Sequence, residues 1–356
     1  MKIKTTKLQE MAGKAVKGSG NNKLIPITSL IGIKLVDGDL TLITTDATNY
    51  LYIIEASVDG DDLSVTVEVD RFSQLISRMT SEFIEITQDD KYLLVKGNGE
   101  YKLELPVDEN GEVIDYPDPL KEFDNEKVDA TITKDTIQSI LTTVKPSIAT
   151  TMEIPCYTGY YVGDNVIGTD TSIVANMDVK LLDTPNLISP EMMNILDVMS
   201  AEKIDLSIKE DILVFKTDDC IVYGRSLEGI EDYQVGAINK LIDTPCESMC
   251  KVSKDHLLQT LDRISLFTTQ YENNGVKLVF GTDNLEVSSL TASGVEVIKY
   301  TEAKNPKLYT VTIDVGIFMN QVKAQAGDLT EIWYGDDTFI KMKDGKITQI
   351  LALLED

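Results

Sequence analysis

Gly163-Asp-Asn-Val-Ile-Gly-Thr-Asp-Thr-Ser-Ile-Val174 sets a Gly/Asp/Asn turn before a short apolar run that alternates with small and polar residues. That order marks the return strand of a β-hairpin: small polar residues tolerate a tight turn, and alternation buries one side chain in two. Related stretches stand at Val36–Asp46 (Val-Asp-Gly-Asp-Leu-Thr-Leu-Ile-Thr-Thr-Asp) and at Gly281–Leu290. The chain reads as one unit written three times.

The segments around these hairpins repeat as well. Leu8, Met11, Ala12, Ala15 and Val16 recur at helical spacing behind Thr6-Lys7-Leu8-Gln9, which has the form of a capping box. A second helix is predicted from Asp70 as cap, with Phe72, Leu75, Ile76 and Met79 at i, i+3, i+4 and i+7. Similar helical spacing follows Thr133 (Ile137, Ile140, Leu141, Val144), Ser189-Pro190 (Met192, Ile195, Leu196, Met199), Ser253 (Leu257, Leu261, Ile264) and Asp314 (Val315, Phe318, Met319, Val322). The second helix of each set starts near residue 70, 190 or 315, a period of about 120 residues. Such a period is too long for a solenoid repeat, so each copy is expected to be a domain with its own core. Strand-like runs fill the intervals, and Val107–Glu126 and Glu228–Cys250 read as connectors. The expectation is an α+β protein of three domains, residues 1–124, 125–247 and 248–356, each an antiparallel sheet with two helices.

Charge is distributed unevenly. The 356 residues carry a net charge of -26, which argues against a protein that wraps nucleic acid with a broadly basic surface. Residues 1–23 nevertheless hold six lysines and one acid, +5 locally, leaving -31 for the remainder. No apolar run approaches the roughly 20 residues of a membrane span, and Met-Lys-Ile-Lys-Thr-Thr-Lys has no apolar signal core, so a cytoplasmic location is expected. Four cysteines without a dense framework suit a reducing compartment.

Catalytic chemistry finds little support. His256 is the one histidine, and Cys246, Cys250 and His256 lack a fourth ligand and tight metal spacing. Asp108–Pro117 superficially suggests a calcium loop, but aligning Gly111 with the glycine position puts Pro106 and Pro117 where ligands belong. Phosphate-loop and nucleophile-elbow motifs are missing. No enzyme activity, metal or cofactor is expected; a carboxylate hydrolase is the weakest of the readings considered.

Specific residues carry a family resemblance over essentially the whole chain: Pro26 before apolar strands, Leu40–Asp46 ending in Thr-Thr-Asp, Arg71-Phe72 opening a helix, Leu103–Pro106, Gly168-Thr169-Asp170, Asp232-Tyr233 and an apolar C-terminal strand. In these features the sequence resembles the bacterial DNA polymerase III beta subunit, the sliding clamp. The resemblance implies a homodimeric ring, with helices lining a hole for duplex DNA and sheets outside. Polymerase and clamp loader would bind through short linear motifs. Candidates to face phosphates are Lys7, Lys14, Lys17, Lys23, Arg71, Arg78, Lys134, Lys145, Lys254, Arg263 and Lys323, of which Lys7, Lys14, Lys17, Arg71 and Arg78 lie off the apolar stripes of the first two helices. The fourth helix, with Glu191, Asp197 and Glu202 around it, offers no cation before Lys203.

By the same resemblance a partner-peptide cleft would be lined by Tyr157, Thr169, Thr171, Ser172, Val174, Gly236, Ile350, Ala352 and Leu354. Thr171-Ser172 stands where the family usually has Gly-His. The ring contact would use Tyr101 and Leu103 against Leu266 and Phe267. The competing reading from charge alone is a three-domain scaffold that binds proteins and no DNA.

Overall fold

In the computed structural model, which describes residues 1–20, 22, 24–125 and 127–354, seven α-helices occur among the described residues. They are α1 (Thr5–Ala15), α2 (Val69–Ser77), α3 (Lys134–Thr143), α4 (Pro190–Leu196), α5 (Val235–Asp243), α6 (Lys254–Ser265) and α7 (Val315–Lys323). Six match the predicted set. The seventh, α5, lies in a segment expected to be a connector.

Two caps differ from expectation. Helix α1 begins at Thr5 with Lys4 in the cap position and no side-chain cap, so Thr6 already sits in the first turn. Helix α2 begins at Val69, putting Asp70 inside the first turn rather than at the cap. In both, an extended strand residue runs straight into the helix, leaving no loop residue to cap it. At α6 and α7 the expected caps are present: Ser253 Oγ accepts from the His256 N–H, and Asp314 Oδ1 from the Ile317 N–H at 2.9 Å.

The chain forms two compact units, Met1–Ile137 with Glu191–Ser226, and Gln138–Pro190 with Leu227–Asp356. Strands distant in sequence share sheets within each. The first unit holds an eight-stranded sheet in the order Leu63–Glu68, Leu30–Val36, Asp39–Thr45, Tyr50–Glu55, Cys220–Arg225, Ile212–Lys216, Lys203–Lys209, Ala130–Thr133. Its central seam is antiparallel, with Tyr52 opposite Ile221 and Tyr50 opposite Tyr223. A four-stranded sheet, Lys2–Lys4, Phe83–Gln88, Tyr92–Lys96 and Glu100–Glu104, completes this unit.

The second unit repeats the plan. Its nine strands run Asn186–Ile188, Tyr160–Val162, Val166–Thr169, Ile173–Met177, Ile347–Ala352, Phe339–Asp344, Leu329–Tyr334, Ser248–Ser253, Glu302–Lys304. A four-stranded sheet follows the order Val295–Lys299, Asn284–Ser289, Gly275–Phe280, Tyr309–Asp314. The stretch Gly163–Val174 therefore ends in the strand that meets the C-terminal one, with Val174 opposite Ile350.

Register assigns the two faces of that seam. Ile173, Leu351 and Ile340 point into a core with Leu257 and Leu261 of α6 and Phe318 and Val322 of α7. Val174 and Ile350 face the other way, into a smaller cluster with Tyr157, Tyr161, Ile167, Tyr233, Ile238 and Phe339. The sheet is thus apolar on both faces at the seam, and something other than α6 and α7 must cover the second face.

Candidate nucleic-acid interface and partner cleft

Most cations expected to face phosphates already have partners. Lys7 pairs with Glu55 at 2.8 Å, Lys14 with Glu10 at 2.8 Å and Asp219 at 3.4 Å, and Lys134 with Asp197 at 2.9 Å. Arg263 grips Glu296 with two nitrogens, at 2.7 and 2.6 Å, and Arg71 lies 3.4 Å from Glu68 one turn earlier. Lys254 donates to the backbone carbonyls of Lys323 and Gln325 at the end of α7. Lys17, Arg78 and Lys323 are exposed and make no ion pair with another described residue; Lys145 is exposed too. Lys23 lies outside the described residues.

These pairs shift their members in the expected directions. The hydrogen bond from Lys14 holds the Glu10 carboxyl below the usual range, and that from Arg263 does the same for Glu296. The hydrogen bond to Glu55 raises Lys7. The helices therefore present a mixture, with Lys7, Lys14, Arg71, Lys134 and Arg263 in ion pairs and Lys17, Arg78 and Lys323 exposed beside them.

The residues expected to line the partner cleft separate into three settings. Tyr157, Val174 and Ile350 do come together, but at 7, 6 and 4% exposure they are core rather than open wall. The reason is α5. Ile238 of that helix packs into the cluster, and Tyr233 just before it meets Tyr157 edge-on, with ring centroids 5.0 Å apart, while donating its hydroxyl to the Ile167 carbonyl.

Thr169 is buried, its hydroxyl donating to the Ile173 carbonyl at 2.7 Å, so it shapes the turn instead of lining a surface. Thr171 and Ser172 are exposed at the tip of that turn, with Thr171 at φ 83°, a left-handed conformation unfavourable for a β-branched residue. Asp170 holds the turn, accepting from the N–H groups of Ser172 and Ile173 at 2.9 Å each. Gly236 is exposed on α5, and Ala352 is half-buried, its N–H bonded to the Ser172 carbonyl. Leu354 lies elsewhere: its N–H bonds the Thr312 carbonyl, and it helps line a groove of about 740 Å³ with Tyr309, Thr338 and Leu353.

Of the residues expected at the ring contact, Leu266 is 81% exposed, and Phe267 and Tyr101 are also exposed. Leu103 is buried in the sheet of its own strand, so it supports that strand instead of offering a surface. Tyr101 lies on Glu100–Glu104, which ends its sheet, while Leu266 and Phe267 follow α6, with Phe267 beside Gly294 just ahead of Val295–Lys299, an end strand of the other unit.

No protein-family model and no curated protein matches the sequence. Solved structures do match. The DNA polymerase sliding clamp of Bacillus subtilis aligns with a TM-score of 0.83 at 18% identity, covering 100% of this chain and 98% of that one. The DNA polymerase III beta chain of Streptococcus pneumoniae gives 0.85 at 14% identity, with 100 and 99% coverage. That of Thermotoga maritima gives 0.81 at 15%, again with 100 and 99% coverage. The fold is that of a sliding clamp.

Within this clamp fold, two features escaped the sequence. Helix α5 carries Val235, Ile238 and Ile242 at i, i+3 and i+7, a helical signal concealed by its shortness and by the acids and Pro245 around it. Lys341 is the other. It alternates with Phe339 and Lys343 along an ordinary strand pattern, yet it is buried and donates to the carbonyls of Ile242 and Thr244 at the end of α5, at 2.6 and 2.7 Å. A single sequence contains nothing that pairs Lys341 with a helix about a hundred residues earlier.

Proposed function

We propose that the chain is a DNA sliding clamp, a processivity factor without catalytic activity that encloses duplex DNA and tethers a replicative polymerase. The observation that carries this reading is the clamp fold itself, which spans the chain from end to end in each neighbour compared. In this reading the three repeats, 1–124, 125–247 and 248–356, are the segments of a half-ring, and two copies close it.

The sheets support such closure. At both internal seams, strands of successive repeats pair edge to edge, Tyr50–Glu55 with Cys220–Arg225 and Ile173–Met177 with Ile347–Ala352. Antiparallel pairing of Glu100–Glu104 with Val295–Lys299 of a second copy would satisfy the backbone groups left at those edges. Exposed Val295, Val297, Leu266 and Phe267 supply apolar area beside that edge. Leu266→Lys with Phe267→Lys is expected to give monomers by light scattering, and a surviving dimer rejects this contact.

Contact with DNA is expected to be loose. Surface ion pairs contribute about 0–1 kcal/mol each, so a phosphate can displace Glu55 from the part-exposed Lys7 at little cost, but also with little gain. Retention would then come from enclosure. The protein should stay on a nicked circular plasmid through high salt and leave when the plasmid is linearised. Equal retention on both forms would reject enclosure; no retention on either would favour the protein scaffold. Polymerase and clamp loader would dock by short motifs with Leu or Phe anchors at the Tyr157, Val174 and Ile350 cluster.

A further inference from the structure

We infer that α5 is a lid over the apolar strip Tyr157, Val174 and Ile350, latched to the sheet by Lys341. The inference rests on the proposal that this strip receives partner peptides.

The strip is buried in the free chain, and Ile238 is the buried residue of the helix that covers it. The rest of α5 is poorly anchored. Gly236, Ala237, Asn239, Lys240, Leu241 and Asp243 are all exposed, while Val235 and Ile242 are half-buried. A helix anchored by one buried side chain and two half-buried ones belongs to the low-stability part of a fold. Ile238 is also an aliphatic anchor of the kind a partner peptide would insert, so the lid fills the strip with the ligand's own chemistry.

Val235 and Ile242 add partly buried contacts at the edge of the cluster, and the remaining hold is polar. Lys341 stands opposite Ile350 in the sheet register, on the strip's face, and its ammonium reaches the Ile242 and Thr244 carbonyls. Those carbonyls close the C-terminal turn of α5, where a helix lacks intrahelical donors and favours a cation. No described carboxylate forms an ion pair with Lys341; Asp243, Asp336, Lys343 and Cys246 are the charged or titratable groups nearby. A partner peptide must lift Ile238 and stretch this latch, so the apparent affinity falls with the fraction of chains that are closed.

The test uses the full-length protein and Lys341→Met, which keeps an unbranched stem out to the ε position and removes the donor. Cys156, 3% exposed and in the covered cluster, reports opening through its rate of labelling by a thiol reagent; Cys250, in the core on the other face, is the control. Loss of hydrogen bonds from a charged donor should speed Cys156 labelling about tenfold or more and leave Cys250 unchanged. A fluorescein-labelled peptide with adjacent Leu and Phe should bind the variant about fivefold tighter, because less closed state competes. Ile238→Ala should act in the same direction and serves if Lys341→Met folds poorly. Unchanged Cys156 labelling in both variants overturns the lid. Faster labelling with weaker peptide binding also overturns it, making α5 a wall of the cleft. Faster labelling with no peptide binding to any form overturns the cleft reading beneath it.

Discussion

The two seams within this chain are built alike and covered differently. At the first, where Tyr50–Glu55 meets Cys220–Arg225, the connector after residue 106 lies over the sheet as a strap. Tyr116 is buried directly over Gly32, and Asp118 accepts from Lys34 and from the Tyr52 hydroxyl, both at 3.1 Å. Leu120 and Phe123 continue onto the same cluster, Phe123 packing edge-on to Tyr223. At the second seam, where Ile173–Met177 meets Ile347–Ala352, the connector instead forms α5, held by Ile238 and Lys341. The first cover is fixed by buried aromatic packing and a nearly buried ion pair. The second has Ile238 as the buried side chain of α5 itself, with Tyr233 buried just ahead of the helix, and no ion pair with a described residue at its Lys341 contact. Two copies of one joint can thus diverge, one into pure structure and the other into a site that opens.

Substitutions at each seam test that contrast. Asp118→Ala should be the most damaging, since it strands Lys34 and the Tyr52 hydroxyl under the strap; a loss of about 3 kcal/mol in urea unfolding is expected. A loss below about 1 kcal/mol would make the strap incidental. Gly32→Ala should cost about 2 kcal/mol, because the added Cβ would lie 2.7 Å from the Cβ of Tyr116, a backbone-proximal atom that cannot swing aside.

The same change at the second seam should have the opposite sign. A Cβ at Gly236 meets nothing within 4 Å, so Gly236→Ala should strengthen α5 by up to about 1 kcal/mol through helix propensity. The readouts are slower Cys156 labelling and weaker peptide binding, and a faster labelling rate would contradict a lid.

The smallest effect concerns pH. Burial holds the Lys341 pKa below its usual 10.5, so between that lowered value and 10.5 the unfolded chain binds more protons than the folded one. Lys341's contribution to stability therefore rises with pH through that window and declines as pH falls through the lowered value. Urea melts over this range should show a shallower rise for Lys341→Met than for the wild type, and parallel curves would rule out a charged, buried lysine.

Much of the fold was legible because its determinants are local. Six helices announced themselves through apolar residues three and four apart, and Ser253 and Asp314 marked their own helix starts. The turn at Asp170 was equally readable, since its carboxylate bonds N–H groups two and three residues on. The sites were less legible. Spacing set Lys7 and Lys14 off the apolar stripes but could not reveal Glu55 and Asp219 across from them, nor Glu296 across from Arg263. Exposure likewise separated Leu103 from Tyr101, two residues apart on one strand.

The sequence alone determined the α+β class, the six periodic helices and the apolar character of the Val174 and Ile350 strands, because periodicity and turn chemistry act within a few residues. Only the tertiary structure decided which strands meet at the seams, which cations are neutralised, and that the strip at Val174 is covered. Those outcomes depend on contacts such as Lys341 to Ile242, whose partners are distant in the chain and whose energies exist only once both are desolvated together.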